Sequence, residues 1–420
     1  MAIGYACIHL GSSKTKLSTL HVKNFTQEKF LLVLDHNLNA LEEILHYNMI
    51  HHIQMLRISS DIVPLSTHPI NTVPWLDMYK ERLTRIGQLI HEQGMRVSMH
   101  PGQYTVLNSI HADVVQKAKK DLLYHAKFLD ALGCDCTNKL VLHIGGVYGD
   151  KKESMHRFVE NFATLDPSIK QRLIIENDDK SYTVEDVLSL SKEVHIPVVF
   201  DTLHHTLNPP QNNQLSLFEW IKICQETWKS QDGKQKIHYS QTGTNFKNGA
   251  HSSSIQAKQF IQFYQQLIDK DIDIMLEVKD KNLSVIKCNL LIMENPPIKY
   301  LEEEWAKYKY FVLGNSAKTY QEIRTLLKDK ENPDVLTFYT LLEHAFDIPA
   351  SKMSQINTLQ HLWGYFKKRA TPQEKKRFLS LLTGYEEDTK SLSSLKNYLY
   401  KLSYRYSITY LLNSLYFYIA

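Results

Sequence analysis

Short apolar runs in this 420-residue chain repeatedly end on the same kinds of side chain. His100 closes RVSMH, His143 closes KLVLH and Glu176 closes RLIIE. Asp201 and His204 lie in VVFDTLH, His238 in KIHYS, and Glu277 ends DIMLE. A mixed set of imidazoles and carboxylates suits Zn, Mn or Fe, whereas an all-oxygen set suits Mg or Ca. A carboxylate near the middle of such a set, as Glu176 is, can bridge two ions through its two oxygens. Two neighbouring ions can stabilise both the attacking and the leaving oxygen of an in-line displacement at phosphorus, and can make a bound water acidic enough to react near neutral pH. That chemistry is phosphodiester hydrolysis without a covalent enzyme intermediate. Any one of these residues alone reads more simply as a hydrogen-bonded structural group; the whole set at strand ends does not.

Groups so far apart in sequence converge only if something gathers the strand ends. Strands are predicted at Ile3–Ile8, Met55–Ser59, Arg96–His100, Lys139–Ile144, Leu173–Glu176, Val198–Asp201, Lys236–Tyr239 and Ile272–Glu277. Helical spacing of apolar residues falls between them, as at Phe30, Leu34, Leu38, Leu41 and Leu45 within Asn24–Tyr47. Further helices are predicted at Trp75–Gln93, Ala112–Leu132 and Lys152–Leu165. Eight strand–helix units predict an eightfold β/α barrel, whose C-terminal strand ends all open on one face. An open doubly wound sheet would place ligands at one switch point instead.

After Asn295-Pro296-Pro297 the strand signal fades, and the text to Ala420 is helical and rich in Tyr, Leu and Lys. The expected division is therefore residues 1–295 as barrel and 296–420 as an all-helical module. Its last stretch, YSITYLLNSLYFYIA, reads as a packed terminal helix.

Hydrophobic residues at 43% with 22% charged describe an ordinary globular protein, and a net charge of +4 does not by itself indicate nucleic acid. Five cysteines without repeated spacing read as reduced thiols. The N-terminus lacks the pattern of a signal peptide and no apolar stretch is long enough to span a bilayer, so a cytoplasmic location is expected.

At these same positions the chain resembles the UV damage endonucleases, the UvsE-type repair enzymes, from Ile3 to about Asn289. The specific pieces are MLRISSDIVPLSTHP ending at Pro69, RVSMHPGQY ending at Tyr104, IIENDD ending at Asp179, FDTLHH ending at His205 and EVKDKN ending at Asn282. The resemblance implies a barrel enzyme that cuts the DNA backbone 5′ to cyclobutane pyrimidine dimers and (6-4) photoproducts, and also attacks abasic sites, leaving a 3′-hydroxyl. It implies double-stranded lesion-bearing DNA as the partner, no membrane, no organic cofactor and a monomer.

Two or three divalent ions are expected, with Mn preferred over Zn, Mg or Co. Carried over by position, His100, His143 and Glu176 hold one ion, and Glu176, Asp201, His238 and Glu277 a second. His204 and His251 contribute to a third, and His68 is a further site residue or ligand. The resemblance places Glu176, Lys236 and His238 at the chemistry, with Lys236 at the position of a lysine that can be carboxylated. Gln103 and Tyr104 are implied to probe the lesion. Tyr5 is expected to touch the lesion or its backbone, Asn177 to orient ligands or meet phosphate, and Lys279 and Lys281, with Arg57, to contact phosphate. His251 is followed by Ser252-Ser253-Ser254 where many relatives are expected to carry an acid, which predicts a weaker third site.

The segment INTLQHLWGYFKKRATPQEKKRFLSLLTGYEED resembles the helical domain of unknown function of YbgA-type proteins. Competing readings are an abasic-site endonuclease of the same superfamily, a metal-dependent sugar isomerase or epimerase, and a non-catalytic scaffold on a decayed barrel. Gln103 and Tyr104 decide against the abasic-site endonuclease, the HPGQY loop has no use in an isomerase, and the retained ligand set argues against a decayed barrel.

Overall fold

In the computed structural model, which describes residues 1–211, 214–242 and 250–419, eight parallel strands close into a barrel in sequence order. They are β1 (Ile3–Ala6), β2 (Met55–Ile58), β3 (Arg96–Met99), β4 (Leu140–His143), β5 (Leu173–Glu176), β6 (Val198–Asp201), β7 (Lys236–Tyr239) and β8 (Asp273–Leu276). β8 returns to pair with β1, so no edge is left open. The eightfold barrel expected from the sequence is present. Its strands are a residue or two shorter than their apolar runs, because the last residues of each run leave the ladder to enter the rim loops.

The barrel interior is packed. Val141, Ile174 and Val199 form one cluster, and Ala6, Met55 and Met275 another, all within the strands. Each strand presents a second interior residue two positions further on, since side chains alternate along a strand. For β4, β5 and β6 those residues are His143, Glu176 and Asp201. The apolar layer thus forms a floor beneath a polar rim. Gly4 is needed for closure, because a Cβ there would lie 2.4 Å from the Met55 carbonyl oxygen on β2.

The outer helices follow local signals. Gln27–Ile50 is capped by the Thr26 side chain and buries Phe30, Leu34, Leu38, Leu41 and Leu45, each contributing about 1.5–3 kcal/mol through burial. The stretch expected as one helix from Trp75 to Gln93 is two, Trp75–Met78 and Lys80–Glu92, because Tyr79 between them leaves helical geometry. Thr183 with Asp186 and Ser216 with Glu219 form reciprocal capping boxes.

Contacts divide the chain into one unit of Met1–Ile255 with Gln262–Cys288, and another of Gln256–Ile261 with Asn289–Ala420. The division falls before the Pro-Pro turn, since the helix Asn282–Ile292 runs through it without a break. The second unit is helical, with a core built on Leu359, Leu362, Phe366, Phe378, Leu395 and Leu399. Pro372 opens the helix Pro372–Glu386 under a Thr371–Glu374 capping box. The C-terminal stretch packs through Leu411, Leu415 and Tyr416, but as two short turns and not one helix. No helix among the described residues is long and apolar enough to cross a membrane.

Candidate metal centre

Strand register brings the polar residues together in pairs. His143 on β4 lies beside Glu176 on β5, and Asp201 on β6 beside His238 on β7. Two groups result, His100–His143–Glu176 and Glu176–Asp201–His238, in each of which one ligand atom per residue lies within 4.8 Å of the others. Glu176 belongs to both and directs one oxygen to each. Its Oε2 lies 3.2 Å from His100 Nε2 and 3.7 Å from His143 Nε2. Its Oε1 lies 2.6 Å from His238 Nδ1.

Hydrogen bonds select the tautomers of the histidines. His100 Nδ1 lies 3.0 Å from the Pro101 carbonyl, and His204 Nδ1 lies 2.9 Å from the Asn177 carbonyl. A carbonyl only accepts, so in each ring Nδ1 carries the proton and Nε2 keeps its lone pair. His251 Nδ1 meets Ser240 Oγ at 2.9 Å, and that hydroxyl donates onward to the Glu277 carbonyl at 3.0 Å. Its Nδ1 is therefore also the donor, and its Nε2 faces Glu277 Oε2 at 3.5 Å. This outer support of the ligating ring is typical of metal-bound histidine. Burial pushes His100 down to about 4, so its neutral Nε2 directs a lone pair at a carboxylate oxygen. A cation between them removes that repulsion.

The remaining electrostatics agree. Burial would raise Glu176, but His238 and His143 hold it well below the usual carboxylate range. Burial pushes Asp201 up to about 7, with the nearby Glu176 and Glu277 charges adding to it. Burial opposes the charge on His204, but Asp201, Glu176 and Glu277 outweigh it and raise the ring to about 9, so a cation at Nε2 would take the place of the ring's second proton. Asp201 Oδ2 and His238 Nε2 are buried without hydrogen-bond partners. Buried acceptors without donors are costly unless something positive satisfies them, so the residues fit divalent ions.

Other expected site residues fall around this centre. Gln103 and Tyr104 lie on the loop after β3, with Tyr104 83% exposed, and line a cavity of about 780 Å³ together with His100, His143 and His204. Asn177 is buried and clamps the backbone of Asp201, accepting from its N–H at 2.9 Å and donating to its carbonyl at 3.1 Å. Its side chain is thus taken up by the backbone of Asp201. Lys236 is buried on β7, two residues below His238 on the same face, and burial lowers its ammonium pKa well below the ordinary value. Lys279 is exposed after β8, and Lys281 is half-buried with a left-handed backbone (φ 50°). Of the neighbours His204 and His205, only His204 turns inward. His205 packs against Phe200.

Three expected site residues are placed differently from the rest. Tyr5 is fully buried, and its hydroxyl donates to Asn48 Oδ1 at 2.9 Å on the surrounding helix, so it faces the helical layer and not the DNA rim. His68 is exposed in the loop after β2, with Nδ1 accepting from the Ile70 N–H at 3.2 Å, and it is not in either ligand group. Arg57, expected on phosphate, is half-buried in an ion pair with Glu277. Burial raises the Glu277 pKa, but Arg57 outweighs it and holds the carboxyl low.

Two contributors escaped the sequence reading. Ser240 joins His251 to Glu277. Tyr148 lines the same cavity as Tyr104, with the Arg157 guanidinium 5.7 Å above its ring. The signal for Tyr148 was available: GGVYG follows strand-end His143 and marks a rim loop that carries an aromatic.

The sequence profile of a family described as UV-endonuclease UvdE matches residues 2–303. The chain belongs to the UvdE family. A UV DNA damage endonuclease of Clostridium perfringens (strain 13 / Type A) is 39% identical over 399 residues, covering 91% of this chain and 95% of that one. A UV DNA damage endonuclease of Bacillus cereus (strain G9842) is 35% identical over 268 residues, covering 63% of this chain and 83% of the relative. The crystal structure of SacUVDE superposes with a TM-score of 0.66 at 39% identity, covering 70% of this chain and 98% of the other. This UvdE member is therefore a DNA repair endonuclease. Residues 309–419 match a family of unknown function, DUF1722, in keeping with the YbgA-type resemblance.

Proposed function

We propose that this UvdE member incises duplex DNA immediately 5′ to pyrimidine dimers and (6-4) photoproducts, with abasic sites as further substrates, and leaves a 3′-hydroxyl. The observation that carries the reading is Glu176, whose two oxygens face two separate donor groups. His100, His143 and Glu176 would hold one divalent ion, and Glu176, Asp201 and His238, with Glu277 beside them, a second. His204 and His251 offer Nε2 to a third. Mn suits the mixed nitrogen and oxygen set. Bound ions would neutralise charge developing at phosphorus and supply water acidic enough to attack near neutral pH.

The chain's own residues do the rest. Asn177 and Ser240 hold Asp201 and His251 in place, and Arg57 fixes Glu277. Burial favours the uncharged amine of Lys236, and that amine would combine with CO₂, releasing a proton, to form a carbamate and so offer a further anionic ligand. Gln103 and Tyr104 would enter the duplex where the damaged dinucleotide leaves it, an aromatic ring and an amide replacing lost stacking and pairing. Lys279 and Lys281 would meet backbone phosphates.

The test is an end-labelled duplex bearing one cyclobutane dimer, incubated with Mn beside undamaged and abasic duplexes. Metal-dependent cutting 5′ to the dimer is expected, with at least a ~10³-fold loss in Glu176→Gln because both groups lose a ligand. Cutting of the abasic duplex alone would move the protein to an abasic-site endonuclease. No cutting by folded, metal-loaded protein would direct attention to small-molecule isomerase substrates.

A further inference from the structure

The helical unit carries partly exposed aromatic rings and a run of exposed cations. Tyr365 and Tyr410 are 38% and 37% exposed, yet their rings stack with centroids 5.9 Å apart and 17° between planes. Lys309 Nζ sits 4.6 Å from the Tyr410 ring centre. Directly after Tyr365 come Lys367, Lys368 and Arg369, all exposed, with the Arg369 guanidinium 5.1 Å above the Tyr406 ring. Lys375, Lys376 and Arg377 follow, also exposed, in the first turns of Pro372–Glu386. Among the described residues, none of these last six cations forms an ion pair. The carboxylate in their midst, Glu374, is buried and already engaged by Arg405 at 2.5 Å and by the Tyr406 hydroxyl at 2.6 Å.

A run of cations alone would be a solvated helix end. Here it follows in sequence on Tyr365, one of two partly exposed, near-parallel rings, and the two features together have a common ligand. Phosphates at nucleotide spacing relieve the repulsion among unpaired cations, and unpaired bases stack on exposed rings whatever their sequence. A duplex would use the cations but present no free base face. An acidic peptide would likewise leave the rings unused. We propose that this face of the helical unit binds single-stranded DNA, with Lys367, Lys368 and Arg369 on phosphates and the Tyr365–Tyr410 pair against a base.

The test uses the full chain in EDTA, so that no strand is cut, and follows fluorescence anisotropy of a labelled oligothymidylate against salt. The barrel's own contribution to binding is common to every protein compared. The Lys367→Ala/Lys368→Ala/Arg369→Ala protein should bind about ten-fold more weakly and lose about 2 from the slope of log affinity on log salt. Tyr365→Ala/Tyr410→Ala should weaken binding about five-fold or more with little change in slope, and Tyr365→Phe/Tyr410→Phe should restore it. Circular dichroism checks that each variant is folded. Undiminished oligothymidylate binding in both alanine variants would overturn the proposal. So would equal competition by polyglutamate, which would show attraction to any polyanion.

Discussion

Glu176 is held where few carboxylates could stay ionised. It is 1% exposed, and only the imidazoles around it, with whatever cation they help to bind, offset the loss of water. His100, His204 and His251 each donate through Nδ1 to a fixed acceptor, which fixes the ring's direction and turns Nε2 toward any cation bound there. Tyr148 is the clearest addition at this scale. Its exposed ring lines the same cavity as Tyr104, so a base turned out of the duplex can rest on it. We predict that Tyr148→Ala lowers incision efficiency on dimer-bearing DNA about ten-fold, in line with the loss of one base–aromatic stack, while bound metal is unchanged and Tyr148→Phe is near normal. Steady-state incision assays and metal analysis check this together; an unaltered efficiency in the alanine variant would remove Tyr148 from the site.

At the scale of elements, β5 and β6 act as one support. The Asn177 side chain joins them through both polar atoms of its amide, and its carbonyl sets the His204 ring. Asn177→Ala leaves the buried Asp201 N–H without a partner. A loss of about 2 kcal/mol is expected, read as a lower denaturant midpoint, and a wild-type midpoint would contradict the clamp.

In the helical unit, Glu374 closes its capping box, and the Tyr406 hydroxyl, the Thr371 backbone and Arg405 hold its pKa down to about 2 from an ordinary 4.5. A carboxyl lowered on folding adds stability that is complete above its unfolded pKa and is lost as pH falls through its folded one. Wild type should therefore exceed Glu374→Gln in stability above about pH 5, and the gap should close as pH falls toward 2. Chemical denaturation across that range measures it; a gap independent of pH would show that the charge contributes nothing.

The barrel and the polar ends of its strands were legible because each buried strand is an unbroken apolar run that stops at a polar residue. Which way a side chain faces was not. Strands of four residues buried on both faces have no alternating pattern, so Tyr5 read as a rim residue when it points to Asn48. Nor does sequence reveal pairings across the barrel. Arg57 meets Glu277 only because β2 and β8 flank β1, which three separated apolar runs cannot announce. His68 lies in a loop, where neither period nor register bears on the reach of the side chain.

At the scale of the molecule, the two units have unequal standing. The barrel carries the family's identity, and SacUVDE is almost wholly covered by 70% of this chain. The Clostridium perfringens relative matches over 91% of this chain, so its similarity extends beyond the barrel into the helical unit. The helical unit has its own core and surface chemistry, and the single-strand proposal concerns that surface alone.

The central claim concerns the barrel: one buried glutamate joins two metal positions. Anomalous scattering from crystals grown with Mn tests it most directly. The expected map has one peak beside His100, His143 and Glu176, and another beside Glu176, Asp201 and His238, with the glutamate in contact with both. A single peak, or peaks that Glu176 does not touch, would contradict the account.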